Sequence, residues 1–149
     1  FMKVKIITGC DNIEPVVEIK CSEVTKEVEN VIDTINKLII SITGKKDGEK
    51  YILRLDDIYY FEAVENRVYA YLESDVYEVE HKISELNELL NHTTFIQTSR
   101  IIILNLSKIN KIKAMVNGRI LAELVNGEKM IISRLYASNF KNKLKGGNK

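Results

Sequence analysis

The stretch that decides the fold runs Ile58-Tyr59-Tyr60-Phe61-Glu62-Ala63-Val64-Glu65-Asn66-Arg67-Val68-Tyr69-Ala70-Tyr71-Leu72-Glu73-Ser74-Asp75-Val76-Tyr77-Glu78-Val79. Polar breaks at Val64-Glu65-Asn66-Arg67 and at Ser74-Asp75 divide it into three short segments with the two-residue period of a β-strand. Five of the seven tyrosines fall within residues 59–77. Tyrosine suits a strand that is half-buried, with the ring packed and the hydroxyl near water.

The same period extends both ways from this segment. Toward the N-terminus, Lys45-Lys46-Asp47-Gly48 is a polar turn between 38–43 and 50–55, which makes a hairpin. Toward the C-terminus, Ser84 is placed to cap a helix over 85–91 with Leu86, Leu89 and Leu90 apolar. Strand segments follow at 95–98, 101–104, 109–116, 119–125 and 128–132, with a turn at Asn117-Gly118. Asn126-Gly127 is the strongest hairpin signal, and it predicts a type I′ turn because both residues tolerate positive φ. Ser133 can cap a last helix to about Lys145, ended by Gly146-Gly147.

Residues 1–40 read differently. Segments 2–8 and 14–20 predict two short strands around the turn Gly9-Cys10-Asp11-Asn12, with Pro15 confining the second to an edge. Val24, Val28, Val31, Ile32, Ile35, Leu38 and Ile39 then recur at helical spacing. The expectation is a small β-β-α appendage at 1–40, a dimerisation element, followed by a β-rich α+β domain at 41–149.

The chain of 149 residues is 45% hydrophobic and 29% charged, a globular composition. Its net charge of +1 hides a division: residues 1–92 hold 11 basic and 19 acidic side chains, whereas 93–149 hold 11 basic and 2 acidic. A half carrying +9 suits a face that meets a polyanion, unless the two halves neutralise each other across an interface. No apolar stretch approaches the length of a membrane span, and no secretion leader is recognisable. Cys10 and Cys21 read as free thiols, and the expected location is cytoplasmic.

Catalytic chemistry finds little support. There is no phosphate-binding loop and no dinucleotide-binding glycine pattern. His81 and His92 lie at polar boundaries without cysteine partners, so neither a metal nor another cofactor is expected. Asp56-Asp57 are adjacent in an extended segment and point to opposite faces. The expectation is a protein that is not an enzyme.

Four blocks in order resemble the LytTR DNA-binding domain of bacterial response regulators. Ile52-Leu53-Arg54-Leu55-Asp56-Asp57-Ile58-Tyr59-Tyr60-Phe61-Glu62 resembles the opening strand pair, and Ile83-Ser84-Glu85-Leu86 with Leu89-Leu90 the family helix. Phe95-Ile96-Gln97-Thr98-Ser99-Arg100-Ile101-Ile102-Ile103-Leu104-Asn105-Leu106 resembles the central block, and Asn126-Gly127 with Ile131-Ile132-Ser133-Arg134 the closing one. The resemblance implies an elongated antiparallel β sandwich with short helices that reads the major groove of double-stranded DNA through loops. It implies base contacts at Asn66, Arg67, Arg100 and Arg134. Gln97, Ser99, Asn105, Lys108, Lys111, Lys113 and Ser133 would contact the DNA backbone or support the readers. Gln97, Ser99 and Ile101 replace the family's usual arginine, histidine and serine. With only about 40 residues ahead of the match, the resemblance is to the stand-alone type without a receiver domain.

The expected function is sequence-specific transcription regulation as a homodimer, with room for a regulatory protein partner and no membrane insertion. Two other readings stay open. One is a protein-interaction module that keeps the fold without specific DNA binding. The other is single-strand binding on exposed tyrosines.

Overall fold

The computed structural model describes residues 2–11 and 15–146. Helix α1, Lys26–Ile39, begins where the Thr25 hydroxyl accepts from the Val28 N–H at 3.3 Å. Its apolar stripe is only partly covered: Val28 is buried, but Leu38 is 80% and Ile39 68% exposed.

Ten strands follow: β1 Ile42–Lys46, β2 Glu49–Leu53, β3 Tyr60–Val64, β4 Arg67–Tyr71, β5 Val76–Val79, β6 Phe95–Gln97, β7 Ile102–Asn105, β8 Ile109–Ala114, β9 Ile120–Leu124 and β10 Lys129–Ile132. The first seven form one antiparallel sheet in the order β2-β1-β5-β4-β3-β7-β6, and the last three a second in the order β10-β9-β8. Helix α2, Ile83–Leu89, lies between β5 and β6, and α3, Arg134–Gly146, follows β10.

The two-residue period sends alternate side chains of the large sheet into two cores. Phe61, Val68, Ala70, Val79 and Ile103 pack with Leu86 and Leu90 of the α2 region. Tyr60 and Leu104 pack on the opposite side with Ile120, Ala122, Leu124 and Ile132 of the small sheet and Ala137 and Phe140 of α3. Lys143 anchors α3 by donating to the carbonyls of Asn91, at 3.3 Å, and Phe95; burial lowers its pKa.

Several local expectations need correction. The described residues of 2–8 and 14–20 form no strand or bridge, so the β-β part of the appendage is absent there; residue 14 lies outside the described residues, as does Asn12 of the expected turn. Val4, Ile6 and Val16 are 92%, 83% and 71% exposed, and an uncovered two-stranded ribbon is marginal in water. Ser84 is not the cap of α2; Lys82 takes that position through its backbone, and Ile83, packed against the first core, is the first helical residue.

Asn126-Gly127 does not form a type I′ turn. Only Gly127 has positive φ, 91°, and its N–H donates to Leu124 at 2.9 Å while the Leu124 N–H donates to Glu128 at 2.8 Å. That is a type I turn closed by a glycine bulge. Positive φ at both central residues occurs instead at Asp47-Gly48, 53° and 79°, and at Glu65-Asn66, 48° and 66°. At the start of α3, Ser133 precedes the helix and its carbonyl accepts from the Tyr136 N–H at 3.0 Å; at the other end, Gly147 of the expected stop lies outside the described residues.

Candidate nucleic-acid interface

The β6–β7 loop, residues 98–101, is tied to two other parts of the chain. The Ala63 N–H near the end of β3 donates to the Ile101 carbonyl at 2.8 Å. The Ser133 N–H, just before α3, donates to the Thr98 carbonyl at 3.0 Å. Arg100 therefore lies between the β3–β4 turn, which carries Asn66 and Arg67, and the junction that carries Ser133 and Arg134. Within the loop, the Thr98 N–H reaches Ile102 at 3.0 Å and the Ile101 N–H reaches the Ser99 hydroxyl at 3.3 Å.

Asn66, Arg67, Arg100 and Arg134 are all exposed, and Gln97, Ser99 and Ser133 are half-buried at the same end of the molecule. Among the described residues neither Arg100 nor Arg134 forms an ion pair. Arg67 does: its Nη1 lies 3.6 Å from Glu78 Oε2 on β5. Arg100 and Arg134, without an ion pair among the described residues, and the partly neutralised Arg67 thus stand on segments tied to one another, and each guanidinium can fork onto a guanine edge or a phosphate.

The other expected residues are not gathered there. Asn105, at the far end of β7, is 1% exposed. Its Nδ2 donates to Ile58 at 2.8 Å and its Oδ1 accepts from the Thr94 and Ser107 hydroxyls, each at 2.8 Å. It braces the fold rather than facing solvent. Lys108 is also at that far end, with Nζ 5.0 Å from the centre of the Tyr59 ring and its carbonyl accepting from Val125 at 2.9 Å. Lys111 and Lys113 share one face of β8; Lys111 pairs with Glu123 at 3.4 Å, and Lys113 lies opposite Leu121.

One element was missed in the sequence. The turn at Asn117-Gly118, read there only as a connection, packs against the start of α3 and touches Arg134. The signal was Asn-Gly followed directly by Arg119 in the basic half of the chain.

Tyr59 and Tyr60 are 5% and 7% exposed, so they offer no faces for stacking bases. Tyr60 stacks on Tyr71 at 4.5 Å and donates to Glu128 at 2.9 Å; burial, and after it this hydrogen bond, push its phenol far above the usual range. Among the described residues no group of three or more histidine, cysteine or acidic side chains could hold a metal, and no helix is long and apolar enough to cross a membrane. Cys10 and Cys21 are exposed free thiols.

A family model, the LytTr DNA-binding domain, matches residues 48–145. The chain is 33% identical over 94 residues to the sensory transduction protein LytT of Enterococcus faecalis, a match covering 63% of this chain and 39% of that protein. It is 26% identical over 145 residues to an uncharacterised HTH-type transcriptional regulator of Staphylococcus aureus, covering 96% and 98% of the two chains. A similar solved structure is the LytTr DNA-binding domain of a Bacillus cereus protein described as a methyl-accepting/DNA response regulator. Its TM-score is 0.65 at 25% identity, over 70% of this chain and 95% of that one.

Proposed function

The chain belongs to the LytTR DNA-binding domain family, whose domains bind DNA in transcriptional regulation, and from that premise we propose a non-enzymatic, cytoplasmic regulator that reads double-stranded DNA by sequence. Arg100 and Arg134 reach base edges in the major groove, and Asn66 and Arg67 reach the groove from the neighbouring turn. Gln97, Ser99 and Ser133 hold the loop or contact phosphate, Lys111 and Lys113 contact flanking phosphate, and Asn105 and Lys108 act through the fold. The observation that carries this reading is the pair of backbone bonds, Ala63 to Ile101 and Ser133 to Thr98, that place three cation-bearing segments side by side.

The protein acts as a homodimer through residues 1–40. Support comes from the uncovered Leu38 and Ile39 on α1, which a second copy would bury. Two domains side by side would read a repeated DNA element.

Selection from random duplex DNA tests the reading. A repeated motif whose recognition needs Arg100 and Arg134 supports it. Ile101, 48% exposed beside Arg100, favours a second reading in which this face docks a protein partner. Absence of any enriched motif would overturn base reading and leave the docking reading standing.

A further inference from the structure

Gly118, in the turn between β8 and β9, has φ of 75°. A Cβ placed on it would stand 3.1 Å from Arg134 Cγ, 3.5 Å from Cδ and 3.9 Å from Cβ. The aliphatic stem of Arg134 thus lies directly against the bare backbone of Gly118, while the residue as a whole remains exposed. The turn is itself held: Asn117 also has positive φ, 62°, and the Met115 N–H donates to the Arg119 carbonyl at 2.9 Å. Beyond it, Ala114 pairs with Ile120 in the small sheet.

We propose that Gly118 is a positioning residue for Arg134: the uncovered turn backbone seats the arginine stem and aims its guanidinium. Discrimination by Arg134 then depends on the absence of a side chain at position 118. The proposal rests on the reading of Arg134 as a base contact. Gly118 carries no charge, so its replacement alters base preference and leaves the salt dependence of DNA binding unchanged. An added Cβ 3.1 Å from Arg134 Cγ pushes the stem off its seat by a few tenths of an ångström, because that is tighter than carbons ordinarily pack.

The test uses the full chain with Gly118→Ala, Gly118→Asn and Gly127→Ala. Asparagine tolerates positive φ, so Gly118→Asn separates occlusion of the seat from backbone strain and carries the test if Gly118→Ala fails to fold. Gly127 has φ of 91° and nothing within 4 Å of its added Cβ, so it reports strain alone. The heteronuclear NOE of the Arg134 Nε–H in the free protein should fall in both position-118 variants and hold in Gly127→Ala. Competition with single-base variants of the selected duplex should show about 5–10-fold lost discrimination in Gly118→Asn, at the base pair that Arg134→Ala affects. The double variant Gly118→Asn/Arg134→Ala should be no worse than Arg134→Ala alone. An unchanged NOE, or losses that add in the double variant, would overturn the proposal. A fallen NOE with DNA preference indifferent to Arg134→Ala would instead sink the base-reading role and leave the seat standing.

Discussion

Asn105 Nδ2 donates to the carbonyl oxygen of Ile58 at 2.8 Å, joining the end of β7 to the segment that leads into β3. The same amide accepts from the Thr94 and Ser107 hydroxyls and from the Ser107 N–H, so three stretches of chain meet on one buried side chain. Without it the carbonyl of the buried Ile58 would be left unpaired, whereas the exposed Thr94 and Ser107 can turn to water. Asn105→Leu should therefore destabilise the domain by about 1–3 kcal/mol. The check is urea unfolding, with a lower midpoint and an unchanged slope.

Tyr60 predicts an alkaline limit to stability. Its phenol is raised above the ordinary value of 10.0 by burial and by the bond to Glu128. The folded state therefore keeps a proton that the unfolded chain gives up. The stability linked to Tyr60 is complete below pH 10.0, the unfolded value, and is lost progressively above it. Tyr60→Phe should flatten that alkaline decline and cost about 1–2 kcal/mol at neutral pH through the lost bond to Glu128. Thermal unfolding between neutral and strongly alkaline pH measures both effects.

Arg67 and Glu78 predict an asymmetry among the cations of the face. Glu78 draws Arg67 at 3.6 Å, whereas Arg100 and Arg134 have no such partner among the described residues. Arg67→Ala should weaken DNA binding less than Arg100→Ala. Glu78→Gln should strengthen it by releasing Arg67, and because the pair is solvent-exposed the gain should stay within about 1 kcal/mol. Titration of labelled duplex at fixed salt decides both signs.

The uncovered end of α1 predicts the oligomeric state. Leu38 and Ile39 contribute little to the fold of one chain, since they are 80% and 68% exposed. Leu38→Lys with Ile39→Lys should leave thermal stability of the isolated domain nearly unchanged and convert the dimer to a monomer by light scattering. A wild-type chain that is already monomeric would refute the dimer.

Much of this was legible in sequence because period and turn residues report local geometry. The shift from helical to strand spacing near residue 40 locates the boundary between α1 and β1, and the polar pairs at 47–48 and 65–66 mark tight turns. The failures have physical causes. Segments 2–8 and 14–20 have strand composition, but a strand needs a partner edge, which composition does not reveal. Asn126-Gly127 permits type I′, but the bulge register between β9 and β10 selects a type I turn. The arginines of the face stand far apart in sequence, and only the backbone bonds from Ala63 and Ser133 to the β6–β7 loop bring them together. The contact of Gly118 with Arg134 has no local signal, since it depends on how α3 leaves β10.

Base-resolved discrimination by wild type, Arg100→Ala and Arg134→Ala on the selected duplex, titrated over a range of salt, tests the central claim most directly. The account predicts that each substitution relaxes preference at its own base pair by about 1–3 kcal/mol while the other positions keep theirs. Uniform weakening across all sequences, or preferences untouched by either change, would contradict it.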